Sequence, residues 1–294
     1  MTEKQRAYLA LHFCVLVWGF TAILGKFIQL NAVSLVWWRV LLCWTVLIGM
    51  VSKDQWAAMT RAKMYRLTGI GMMVGVHWLC FYGAVKLSNA SVAVATMATT
   101  AFFAALTEPF ILRQPVKWYE LMLGILILPG VALIVGDLDW QMRWGFAVGT
   151  IGALLAAVFS TLNKREINLE PTPPFIMSFF ELFGGWLITS AVLLFLQPGW
   201  DSLIPQGYDW IYLPLLAFVC TLLPYNLSLL AMRHISAFAT NLTINLEPVY
   251  GVLLAIVFFR EDKGLRPDFY WGVLLILLAV FSHPFIKNRF ERVS

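Results

Sequence analysis

The chain has 294 residues, 60% of them hydrophobic and 13% charged, with a formal net charge of +5. So little polar surface cannot clothe a soluble core of that size, which excludes a water-soluble globular protein and leaves an integral membrane protein. The basic residues are spread over short connections, so their excess reads as membrane topology and not as nucleic-acid binding.

An α-helical span takes about 20 apolar residues to cross about 30 Å of hydrocarbon. Ten stretches meet that length, roughly 7–28, 33–51, 65–86, 89–111, 116–135, 144–163, 174–196, 209–231, 236–259 and 268–286. They are continuous, without the alternation of barrel strands, so helices are expected. The leading MTEKQR runs into an apolar stretch too long for a signal-peptide core, which reads as a retained first helix. No connection is long enough to hold a folded domain. The expectation is an all-α, ten-span protein in two halves, 1–137 and 138–294. Ten spans put both termini on one side, which carries 14 Lys and Arg against six opposite, with Arg39 inside span 2. The positive-inside rule then places both termini in the cytoplasm.

Within the spans, polar and aromatic residues stand out in order. Span 1 carries Trp18 and Thr21. Arg39 in span 2 could snorkel outwards or meet a carboxylate, with Glu181 of span 7 and Glu247 of span 9 both in view. Span 3 offers His77, Trp78 and Tyr82, and span 4 a line of Thr96, Thr99 and Thr100, whose hydroxyls often bond back to their own helix. Ser160 and Asn163 end span 6, and Tyr225 and Asn226 follow Pro224 in span 8. Most of the 13 Trp read as interfacial anchors, while the aromatics deeper in the bundle suit cation–π contact or stacking. The four cysteines (14, 43, 80 and 220) lie inside spans without metal-ligand spacing, and the four histidines are isolated, so neither metal nor cofactor is expected.

Span 9 contains TNLTINLEPVYG over residues 240–251. Read as one continuous helix, it sets Thr240, Thr243 and Glu247 on one face, with Asn241 and Asn245 on a line beside it. An acidic residue near a span's midpoint costs up to about 3 kcal/mol, so Glu247 must be neutral, paired or open to water. Pro248 has no amide hydrogen and loosens the ladder at the Ile244 carbonyl. A carboxyl beside a broken ladder suits a binding site or a hinge; a protonated Glu that fixes a kink is the structural alternative.

A shift of 147 residues aligns 77–113 with 224–260, bringing Ala84 onto Ala231, Lys86 onto Arg233, Thr96 onto Thr243 and Arg113 onto Arg260. Five spans per half is an odd number, so the second half enters from the opposite side. Inverted repeats of this kind characterise transporters with a midplane site.

Trp18-Gly19, Arg39, Ala84-Val85-Lys86-Leu87, Glu247-Pro248, Arg260-Glu261 and Gly272 occur in order across the chain. With them, the sequence resembles the EamA family of the drug/metabolite transporter superfamily over essentially its whole length. Two positions depart from the family's pattern, since Ala101 and Gln114 stand where Pro248 and Glu261 have their repeat equivalents. The resemblance implies a transporter of the cytoplasmic (inner) membrane, effluxing amino acids or related small metabolites. The expected substrate cavity draws on spans 1, 3, 4, 6, 8 and 9, with Trp18, Thr21, His77, Trp78, Tyr82, Thr96, Thr99, Thr100, Tyr225, Asn241, Asn245 and Glu247 as its candidates. Arg39, Glu247 and Pro248 are candidates for coupling or gating, with a proton as the coupling ion considered. The runner-up is a membrane-embedded enzyme acting on a lipid or prenyl substrate, followed by a receptor or scaffold. Against the enzyme, the acidic pairs Asp137/Asp139 and Glu261/Asp262 read as ordinary loop residues.

Overall fold

The computed structural model describes residues 1–135, 140–197, 199–259 and 267–290. Among them every regular element is helical: α1 (Glu3–Phe27), α2 (Ala32–Met50), a short α3 (Lys53–Ala57), α4 (Arg61–Leu87), α5 (Ala90–Met97), α6 (Thr100–Leu112), α7 (Trp118–Val135) and α8 (Trp140–Leu169) in the first part of the chain. There follow α9 (Pro174–Leu196), a single-turn α10 (Trp200–Leu203), α11 (Asp209–Pro214), a π-helical segment (Leu215–Leu222), α12 (Leu223–Ala231), α13 (Ala237–Ile244), α14 (Glu247–Phe259) and α15 (Pro267–Phe290). The acidic pairs Asp137/Asp139 and Glu261/Asp262, and Arg260, lie outside the described residues.

Local chemistry sets the starts. Thr2, Asn31, Ser52, Thr60, Asn89 and Ser236 each turn a side-chain oxygen onto a backbone N–H of the first helical turn. Such a cap satisfies a donor that has no carbonyl partner within the helix. Among the described residues, seven helical segments are long and apolar enough to cross a membrane: 3–27, 32–50, 61–87, 92–112, 142–169, 174–196 and 209–231. The apolar runs 118–133 and 270–283 are shorter.

Two expected spans are not continuous. Span 9 breaks at Asn245 and Leu246, between α13 and α14, so the single face drawn through Thr240, Thr243 and Glu247 does not exist. The reason lies in Pro248, which has no N–H to continue the ladder; it falls in the first turn of α14, where that N–H has no intrahelical partner to lose. Span 4 breaks at Ala98 and Thr99. α13 lies 147 residues beyond α5 at both ends, and α14 begins 147 residues beyond the start of α6. The eighth span departs differently: Pro214 and Pro224 flank a π-helical stretch in its middle. Residues 215–222 thus sacrifice regular α bonding at a buried level, a feature that recurs at functional sites.

α4 lies against both α8 and α9, and α7 against α15. The α4–α9 crossing is close because Gly71 and Gly75 of α4 meet Gly185 of α9, while Gly184 lies against the backbone of Thr68 and Met72. Small residues spaced in this way let membrane helices approach backbone to backbone. At the end bearing the N-terminus, Lys63 pairs with Glu170 at 2.7 Å and Arg66 holds Glu166 with both Nε and Nη2. The Lys63 hydrogen bond and charge hold the exposed Glu170 carboxyl below its ordinary pKa. At the opposite end, Lys86 donates to the Ile28 carbonyl and the Gln29 N–H donates to Asp209. Those contacts tie α4 and α11 to the end of α1.

Candidate functional site

A cavity of about 110 Å³, counted as space open to the centres of water molecules, lies within the bundle. About one-tenth of that holds a single water, so there is room for a small polar solute. Each of the six spans expected to line it contributes. They are α1 (Trp18, Thr21), α4 (His77, Trp78, Phe81), the α5–α6 pair (Met97, Thr100), α8 (Ala156, Phe159, Ser160), the eighth span (Thr221, Tyr225, Ser228) and the α13–α14 pair (Asn241, Ile244, Glu247). Met232, just beyond α12, completes that wall. Arg39 of α2 joins them, adding a seventh element.

Arg39 does not snorkel, its residue being 3% exposed, and it pairs with no carboxylate among the described residues. Its Nε donates to Thr221 Oγ1 at 2.6 Å and its Nη1 to Tyr82 Oη at 2.9 Å. The guanidinium lies 4.2 Å from the Trp78 ring centroid and 5.4 Å from that of Tyr82. Thr221 is held in turn by donating to the Leu216 carbonyl five residues back, a bond made available by the π geometry. Two hydrogen bonds and two ring faces therefore fix the cation, while Nη2 keeps no partner among the described residues. Stacking plus forked donation is a role for Arg and not for Lys.

Glu247 is the cavity's carboxyl group. It occupies the first turn of α14, where the helix dipole favours negative charge. No described residue donates a hydrogen bond to it, and no ion pair within 4.0 Å joins Arg39 to Glu181 or Glu247 among the described residues. The pairing left open by the sequence is thus neither of its alternatives. Thr100 is the residue 147 positions before Glu247; it too begins a half-helix, and it too lines the cavity.

Other lining groups are partly committed. The His77 Nδ1–H donates to the Gly152 carbonyl at 2.8 Å, leaving the other ring nitrogen free for the cavity. Asn241 Nδ2 donates to Ser160 Oγ at 2.8 Å. Four candidates lie outside the lining. Tyr82 is fully buried against Gly25 with its hydroxyl on Arg39, so it positions the cation from behind. Thr96 bonds back to the Ala93 carbonyl and packs on Gly149, and Thr99 bonds back to Thr96. Asn245 is fully buried at the α13–α14 break, and neither its amide nitrogen nor its oxygen has a partner among the described residues. The Pro248 side chain lies outside the described part of the structure.

Sequence reasoning passed over Phe81, Met97, Phe159, Thr221 and Ser228. The apolar ones look like any other span residue. Thr221 had one signal, its place midway between Pro214 and Pro224.

A model described as the EamA-like transporter family matches the sequence twice, over residues 5–136 and 143–283. No curated protein matches it. One solved structure, described only as the crystal structure of a protein, is similar over 98% of this chain and 99% of its own. It superposes with a TM-score of 0.75 at 14% identity, which is a likeness of fold.

Proposed function

The chain belongs to the EamA-like transporter family, and on that premise we propose that it is a secondary carrier exporting amino acids or closely related zwitterions. One observation carries this reading: the cavity presents an unpartnered carboxyl, Glu247, and a guanidinium with one free edge, Arg39, within a wall of Trp18, Trp78, Phe81 and Phe159. A zwitterion's ammonium suits the carboxyl, its carboxylate suits the free guanidinium nitrogen, and an apolar side chain suits the rings. Water exclusion strengthens both charge contacts. The family match favours this carrier reading over membrane-embedded catalysis.

For the working cycle, the proposal is ten spans in two inverted five-helix halves, with both termini in the cytoplasm of an inner-membrane protein. The two family-model matches and the identical 147-residue spacing of the broken helices support the duplication. Half-helices that meet at a midplane site are the usual construction of alternating-access carriers. The halves then rock about Arg39 and Glu247 and expose them to each side in turn.

Counterflow of radiolabelled amino acids in proteoliposomes tests this. Exchange above that of empty vesicles is expected for the wild type, with affinity at least about 30-fold weaker in Glu247→Gln, the least that truncating a buried charge pair by about 2 kcal/mol brings. Full exchange by Glu247→Gln would overturn the role of Glu247, and no exchange of any amino acid by the wild type would overturn the substrate class.

A further inference from the structure

A second carboxyl stands one hydrogen bond behind the cavity wall. Glu181, on α9, is fully buried. Its Oε2 accepts hydrogen bonds from the Tyr225 hydroxyl and from Asn163 Nδ2, while Oε1 is buried with no partner among the described residues. Tyr225 itself lines the cavity, so its phenol bridges the solute space and the hidden acid. The bridge is held in register by the neighbouring residue, because Ser178 of α9 donates to Asn226 Oδ1 and Asn226 Nδ2 donates to the Leu222 carbonyl.

None of the charged side chains on the neighbouring helices is bonded to Glu181 among the described residues. On α2, Arg39 is bonded to Thr221 and Tyr82. On α4, Arg66 is matched by Glu166, and the His77 ring is bonded to Gly152. From α8 come Asn163 and, one turn further, Glu166, whose negative charge belongs to the Arg66 pair. From α12 comes Tyr225 alone. No cation lies within 4.0 Å of Glu181 among the described residues. A buried carboxyl with polar donors but no counter-charge is a group that exchanges a proton and not one that holds a permanent salt bridge.

We propose that Glu181, and not the cavity carboxyl Glu247, carries a proton through the transport cycle, delivered from the cavity by the Tyr225 hydroxyl. The proposal rests on the carrier reading above and assigns its driving ion. In the loading step, Glu181 Oε2 takes the phenolic proton as the phenol oxygen takes one from cavity solvent. One proton enters, Tyr225 ends as it began, and no electron moves. Glu247 is then left to the substrate's ammonium, so the two acids divide cargo and coupling between them. Exchange of cargo against cargo needs no proton movement, whereas accumulation against a gradient does. That difference separates the two roles.

Proteoliposomes of the full chain and of Glu181→Gln are compared in two modes. Counterflow at equal pH is expected within about twofold of the wild type in Glu181→Gln, while accumulation driven by an imposed pH gradient falls to that of passive exchange. Gradient-driven accumulation by Glu181→Gln equal to the wild type overturns the proposal, as does wild-type counterflow that no pH gradient can drive uphill. A third readout needs no substrate. Infrared difference spectra on a pH change should show the carbonyl band of a neutral carboxylic acid that Glu181→Gln abolishes and that Tyr225→Phe displaces. A band left in place by Glu181→Gln, or removed by Glu247→Gln instead, contradicts it. Should Glu181→Gln fail to fold, the Tyr225→Phe band decides, and an undisplaced band refutes the bridge. Absence of amino-acid counterflow in the wild type would refute the substrate class instead, leaving the infrared band to judge Glu181 independently.

Discussion

Replacing Gly71 by alanine tests the packing that places Glu181. An ideal Cβ on Gly71 falls 1.9 Å from the Glu181 carbonyl oxygen and 2.4 Å from both its carbonyl carbon and its Cα. All three are backbone atoms, so no rotamer change relieves the overlap, and α4 and α9 must separate by more than 1 Å to restore ordinary contact. Overpacking of a tight core costs about 1–3 kcal/mol, and a backbone clash belongs at the upper end. Against that, alanine in a helix interior gains about 0.5–1 kcal/mol over glycine. The balance is a net loss of about 2 kcal/mol. Gly69, two residues earlier on α4, meets nothing within 4 Å and is the internal control. Thermal unfolding of purified protein, followed by tryptophan fluorescence in one detergent, should rank Gly69→Ala at or slightly above wild type and Gly71→Ala several degrees below it. Equal melting of the two alanine variants would refute the close crossing, and with it the placement of Glu181 behind Tyr225.

Arg39→Lys keeps the charge but cannot reach Thr221 and Tyr82 together while stacking on Trp78; each charge-assisted hydrogen bond lost costs about 1.5–3 kcal/mol. Lower thermal stability and weaker substrate binding are both expected, and a variant equal to wild type in both would show that the guanidinium geometry is dispensable. Asn245→Leu removes two buried polar atoms without partners among the described residues. Relief of that desolvation is worth about 1–3 kcal/mol, so the melting temperature should rise; a fall would mean that Asn245 is hydrogen-bonded in the purified protein.

The helical class and much of the cavity could be read from composition and from isolated polar residues, because a hydrocarbon environment makes every internal charge conspicuous. Arg39 and Glu247 announced themselves in this way, as did the elements that supply the lining. What could not be read was where each side chain turns. Thr96 and Thr99 carry the same signal as Thr100, yet backbone carbonyls capture the first two and the cavity receives the third. Tyr82 and Trp78 are one turn apart on α4, yet the Tyr82 ring packs against Gly25 with its hydroxyl on Arg39, outside the lining. The helix break at 245–246 was hinted at by Pro248, but the matching break at 98–99 has no proline to mark it. Its legible trace is the 147-residue repeat itself. Glu181 was visible as an acid in span 7 and was weighed against Arg39, whereas its partner is Tyr225, from a helix 44 residues away.

The central claim is that Glu247 and Arg39 jointly hold a zwitterion, and the most direct test is equilibrium binding of one amino acid beside its N-acetyl and methyl-ester derivatives. Wild-type protein should bind the free amino acid and lose at least about 30-fold with either derivative, each of which removes one charge. Glu247→Gln should bind the free and N-acetylated forms alike while still rejecting the ester. Undiminished discrimination between free and N-acetylated forms by Glu247→Gln would contradict the account.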